Sequence, residues 1–208
     1  MVDRQVCMLY CLGMQIKHST NAGPRERILA RAVELFFKQG YHGTGINQII
    51  KEAKVAKASF YDHFGSKENL AVAYLELLSD RRIDLLDRVA SDYDDPFEKV
   101  MSIFEYLKEW AEDKHHIGCP FLNIASEFPL EDNRIRETVR THKERQRHLI
   151  WQIVVQIYPD VDDRAHTVAD TIHLLIEGAT VENRVLHSVY PFELAQVSAR
   201  KLLTQSKH

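Results

Sequence analysis

Residues 41–70 read YHGTGINQIIKEAKVAKASFYDHFGSKENL, and this stretch decides the fold. Ile46, Ile49, Ile50 and Ala53 follow the i, i+3, i+4, i+7 spacing of a one-faced helix, which predicts a helix over about 45–53. Thr44 stands just before it as the expected N-cap. A second pattern runs from Lys57 to Phe64, with Val55, Phe60 and Phe64 on one side. Lys54, Val55 and Ala56 form the turn between them. Two helices joined by so short a turn make a helix-turn-helix, whose second helix can enter the major groove of DNA. Its outward residues are Lys57, Ala58, Ser59, Tyr61, Asp62 and His63. Small, hydroxyl, aromatic and cationic side chains suit close approach to a duplex and bonding to phosphate. Periodicity alone would not distinguish this from any short amphipathic helix pair.

The residue types go further. Gly40-Tyr41, Thr44, Ile49, Ala53, Val55 and above all Phe60-Tyr61-x-His63-Phe64-x-x-Lys67-Glu68-x-Leu70 resemble the DNA-binding domain of TetR-type (TetR/AcrR family) transcriptional repressors. The resemblance covers about residues 25–72. It implies an all-α protein with a three-helix helix-turn-helix head over 24–70. A helical-bundle domain over 71–208 would bind a small-molecule effector and form a homodimer. Such a protein binds a double-stranded DNA operator and is released by the effector. Thr44, Tyr61, His63 and Lys67 would then hold phosphates, while Asn47, Lys57, Ala58, Ser59 and Asp62 face base edges. Lysine can bond guanine and aspartate can accept from cytosine. Two positions depart from the family pattern: Lys54 replaces the usual turn glycine and Ala56 the usual Ser/Thr cap. Each departure costs about 1 kcal/mol. The alternative reading is a DNA-binding organiser of the same fold that regulates no promoter and senses no ligand.

The 208 residues, 45% hydrophobic and 27% charged, suffice for one medium domain or two small ones with a real core. Few glycines and prolines favour long helices over sheets. No apolar run reaches the length of a membrane span. Cys7, Cys11 and Cys119 are too few and scattered for a disulfide framework or a zinc site, so a reducing cytoplasm is expected. The net charge of −3 hides an asymmetry. Residues 25–67 hold eight cations against four anions, and residues 1–24 carry one further positive charge. The remaining 141 residues therefore carry −8. A basic end on an acidic body suits a protein that puts one end on nucleic acid.

Residues 1–23 match nothing in the family and read as a flexible tail, with Met14 an alternative start. Pro24 opens a helix with Ile28, Leu29, Ala32, Leu35 and Phe36 as its stripe, and Gly40 ends it. Ser66 caps a helix running to about Ala90, which the resemblance makes a mechanical link between head and body. Further helices are predicted from Pro96, from Phe121 until Pro129, over 133–158, over 162–189 and from Pro191.

Cys119 near His115 and His116 is the one nucleophile–base pairing to weigh, and no third group or oxyanion site accompanies it. The protein reads as no enzyme. Cys119 fits a small buried residue at a helix junction, with an oxidant-sensing thiol as the alternative. No histidine spacing suggests a metal, and no cofactor motif is present. Phe104, Trp110, Phe121, Phe128 and Trp151 could line an effector pocket, with Asn123, Glu127, His173 and Glu177 as polar fixtures. Aromatics at this spacing equally suit a plain core. Residues 165–189 are apolar around more than one face, which calls for a second partner. Phe192, Ala195, Ala199 and Leu202 add a short second surface. The resemblance implies that these two helices pair with their copies, and Leu175 and Leu202 are the expected contact positions.

Overall fold

The computed structural model describes residues 22–113, 118–128, 133–158 and 162–204. Among these residues there are nine helices and no strand. They are α1 Pro24–Gln39, α2 Ile46–Ala53, α3 Lys57–Phe64, α4 Lys67–Ser91, α5 Pro96–Asp113, α6 Pro120–Ser126, α7 Arg134–Val154, α8 Asp162–Leu186 and α9 Tyr190–Thr204. The expected tail up to residue 21, the pair His115 and His116, and Pro129 lie outside the described residues.

α1 starts on Pro24, whose missing N–H costs nothing in a first turn. The Gly23 N–H instead donates to the Glu26 carboxylate at 3.1 Å. Ile28, Ala32, Val33, Leu35 and Phe36 form its buried stripe, and α2 and α3 both pack on it. Thr44 does not cap α2 as expected. Its side chain is buried and its hydroxyl donates to the Gly40 carbonyl at 2.7 Å. The cap position is Gly45, with no side-chain bond. The Thr44 hydroxyl therefore closes the turn from within, although His42, Gly43 and Gly45 around it are exposed.

α2 stops where the sequence puts Lys54 in a glycine position. Lys54 adopts the left-handed conformation, φ 53° and ψ 50°. Its N–H reaches Lys51 O at 3.3 Å, and the Val55 N–H reaches Ile50 O at 3.3 Å, the paired bonds of a Schellman stop. α3 begins at Ala56 without a side-chain cap.

The chain divides into two compact units. The first holds α1, α2, α3, α4 up to Arg81, α6, and α7 up to His142. The second holds the rest of α4 and α7 with α5, α8 and α9. In its core Phe104, Trp110, Ile150, Val154, Ile172, Ile176 and Phe192 are packed together. Two helices end earlier than their apolar patterns. α7 gives way after Val154 to tight turns closed by the Ile157 N–H on Val154 O at 2.9 Å. α8 ends at Leu186, followed by His187 at φ 50°.

The left-handed conformation costs a non-glycine residue about 1 kcal/mol. Lys54→Gly should therefore raise the thermal unfolding midpoint by about 2–4 °C. A scan showing an unchanged or lower midpoint would mean that the lysine side chain contributes more than its backbone costs.

Candidate nucleic-acid interface

α3 has two chemically distinct faces. Phe60 and Phe64 are buried, with ring centroids 6.2 Å apart, and Arg25 caps the Phe64 ring at 5.5 Å. Lys57, Ala58, Tyr61, Asp62 and His63 are exposed on the other side, and Ser59 is half-buried. Tyr61 stands edge-on to Phe60 at 5.3 Å. Asn47 on α2 is exposed, as are Lys51 and Lys54 near its end. Lys67 is half-buried, its Nζ 4.2 Å over the Tyr41 ring. Burial pushes the Lys67 ammonium below the usual lysine range, and the Glu127 carboxylate opposes this. The exposed set offers an ammonium, an amide, a carboxylate, a phenol and an imidazole on a surface of net positive charge. These are the groups that bond base edges and phosphates.

The residues expected around an effector are divided between the units. Phe121, Asn123, Glu127 and Phe128 belong to the first; Phe104, Trp110, Trp151, His173 and Glu177 belong to the second. Phe121 stacks on His142 at 3.5 Å, and His142 Nδ1 lies 3.0 Å from the Ser79 hydroxyl. Ser126 donates to the Asn123 carbonyl at 2.7 Å. Glu127 is already engaged: its carboxylate accepts the backbone N–H groups of Tyr41 and His42. Sequence reasoning missed this contact, since 86 residues separate Glu127 from Tyr41 and no local pattern links them.

In the second unit Phe104 is core, and Trp110 lies under the Arg82 guanidinium at 4.4 Å. Trp151 is stacked between His148 at 5.3 Å and His166 at 5.1 Å. Its Nε1 and His173 Nδ1 are buried without a hydrogen-bond partner among the described residues. Burial pushes the His173 imidazole below the usual histidine range, against the pull of the Glu177 carboxylate. Glu177 pairs with the Lys143 ammonium at 2.5 Å, and the same ammonium lies 3.7 Å from Cys119 Sγ. Among the described residues no group of His, Cys, Asp and Glu could hold a metal, and no helix is long and apolar enough to cross a membrane.

The outer surface of α8 and α9 carries Leu174, Val181, Val185, Leu186, Tyr190, Leu194 and Val197 in the open. Leu174 is 68% exposed and Val185 67%. The contact positions expected from sequence, Leu175 and Leu202, are half-buried. Both pack against the core of the second unit, and Phe192, Ala195 and Ala199 are buried in it. α9 uses that face on α8 and α5, so the opposite face is left free.

Residues 28–74 match the family model for bacterial regulatory proteins of the tetR family. Residues 96–198 match the tetracyclin repressor-like C-terminal domain. The chain is 31% identical over 166 residues to the HTH-type transcriptional regulator LmrA of Bacillus subtilis, covering 74% of this chain and 82% of that protein. It is 30% identical over 116 residues to the HTH-type transcriptional repressor NemR of Escherichia coli, covering 53% of this chain and 56% of NemR. In fold it is similar to a TetR-family transcriptional regulator from Streptomyces coelicolor, with a TM-score of 0.78 at 23% identity over 89% of this chain and 90% of the other. The reduced form of E. coli NemR gives a TM-score of 0.76 at 21% identity, covering 86% and 97%. The chain belongs to the TetR family of bacterial transcriptional regulators and carries that family's DNA-binding helix-turn-helix.

Proposed function

We propose that the protein is a cytoplasmic repressor that occupies its operator as a homodimer until a small molecule binds the helical domain after the head. The observation that carries this is the two-faced α3, anchored by Phe60 and Phe64 and presenting Lys57, Ala58, Tyr61, Asp62 and His63 outward. Tyr61, His63 and Lys67 hold phosphates in this reading. Lys57, Ala58, Ser59, Asp62 and Asn47 face bases. Thr44 supports the turn instead, because its hydroxyl is spent on Gly40. Tyr61→Phe should weaken binding to all duplexes alike. Lys57→Ala should in addition relax preference at one base position, by about 1–3 kcal/mol. A library of duplex variants read by both proteins checks this, and an unaltered preference profile for Lys57→Ala would refute the base-reading role.

The free apolar face of α8 and α9 supports the dimer. A row of large exposed aliphatic side chains on two adjacent helices is a surface that water disfavours and a second copy can cover. One head buries little DNA surface, and paired heads on two half-sites solve this. Val181→Glu combined with Val185→Glu should give a folded monomer that has lost tight operator binding. Sedimentation at micromolar concentration decides it, and a parent that is itself monomeric there would contradict the dimer. In the second unit, Trp151 Nε1 and His173 Nδ1 are the polar groups we assign to the effector, since a buried group without a partner is costly unless a ligand supplies one.

A second reading, release by oxidants, is favoured by the Lys143 ammonium beside Cys119. Oxidation of the sulfur to a sulfenic acid adds an oxygen that competes with Glu177 for that ammonium. Mild peroxide should then free DNA from the parent and not from Cys119→Ser. Equal release from both would remove Cys119 from regulation.

A further inference from the structure

We infer that Glu127 is a positioning residue of the DNA-binding head, acting through the turn that precedes α2. Its Oε1 accepts the Tyr41 N–H and its Oε2 the His42 N–H, each at 2.7 Å. Capture of two consecutive amides by one carboxylate fixes the orientation of the turn as well as its position, and both bonds are charge-assisted. The clamp has further parts. His42 Nε2 lies 3.1 Å from the Glu127 carbonyl, and the Phe128 ring packs on Tyr41 at 5.1 Å and on His42 at 5.0 Å. Gly40 makes room for it. Its φ is +77°, and a Cβ there would stand 2.9 Å from Glu127 Oε1.

The turn after α3 is held from the start of α7. Arg134 Nη1 donates to Asn69 Oδ1 at 2.5 Å, while the Asn69 amide donates to the Phe64 carbonyl at 2.8 Å. Arg136 Nη1 donates to the Phe128 carbonyl at 2.6 Å, tying this grip to the first. Residues from the end of α6 and the start of α7 therefore hold the chain just before α2 and just after α3. Lys67 joins them, its Nζ stacked on Tyr41 within the field of Glu127. The clamp sets where the helix-turn-helix stands against α1, and it places the cation that follows α3.

The inference rests on reading the helix-turn-helix as the DNA-contacting surface, and the test keeps the two apart. The probe is a duplex selected from a randomised pool by the full-length parent, with affinity read by fluorescence anisotropy. Removing a carboxylate beside a phosphate-binding surface tightens binding if charge alone matters. The clamp requires the opposite sign. Glu127→Gln, which offers one acceptor where two are needed, should bind about tenfold more weakly at a temperature where circular dichroism shows parent and variant equally helical. Glu127→Asp keeps the charge but shortens the reach, and it should weaken binding in the same direction. Unchanged or tighter binding by Glu127→Gln would overturn the inference, as would failure of both variants to fold, which makes Glu127 merely structural. Lys57→Ala in the same assay reports on the interface itself: no effect there defeats that reading whatever Glu127 does.

Discussion

A helix of eight residues does not persist in water on its own hydrogen bonds. Both helices of the reading motif have that length. They exist because Ile49 and Ala53 of α2 and Phe60 and Phe64 of α3 are buried. The local terms oppose them. Lys54 in a left-handed conformation and Ala56 without a cap together cost about 2 kcal/mol. Full burial of two phenylalanines contributes about 3–6 kcal/mol, so packing wins over local preference. The same burial leaves the opposite side of α3 free, and a face so rich in polar groups is available because the anchors sit on one stripe.

This is also why the head was legible in the sequence. Its apolar spacing, its short turn and the run from Phe60 to Leu70 are local features, and α3 spans Lys57–Phe64 as the pattern predicts. Thr44 was misread because a hydroxyl before a helix has two local uses, and its choice of the Gly40 carbonyl depends on the closed turn. The contact of Glu127 with the turn was hidden for a different reason. Its partners are backbone amides, which carry no residue type to signal them. The split of the expected pocket residues between two units was equally hidden, because helical spacing identifies apolar faces and says nothing of which faces meet.

α8 shows the limit of periodicity most plainly. The sequence marks it as apolar on more than one face, and the structure has both. Ile172, Ile176 and Ala179 turn into the core, while Leu174, Val181 and Val185 stay outside. Leu174 and Leu175 are neighbours in sequence and about 100° apart around the helix axis. Choosing between them requires knowing which face packs on α9, and that contact is not local. The buried polar atoms of Trp151 and His173 in the same unit carry a comparable lesson. Their residue types were visible, but their lack of partners is a property of the folded unit.

Operator binding by a paired reading head is tested most directly by the base sequence that the protein selects. Successive rounds of selection from a fully randomised duplex pool, followed by sequencing, would reveal the preferred site. Two copies related by a two-fold axis, each placing one α3 in a major groove, predict an inverted repeat whose half-sites are separated by about one helical turn of DNA or a multiple of it. A single asymmetric site, or no enrichment at all, would contradict the account.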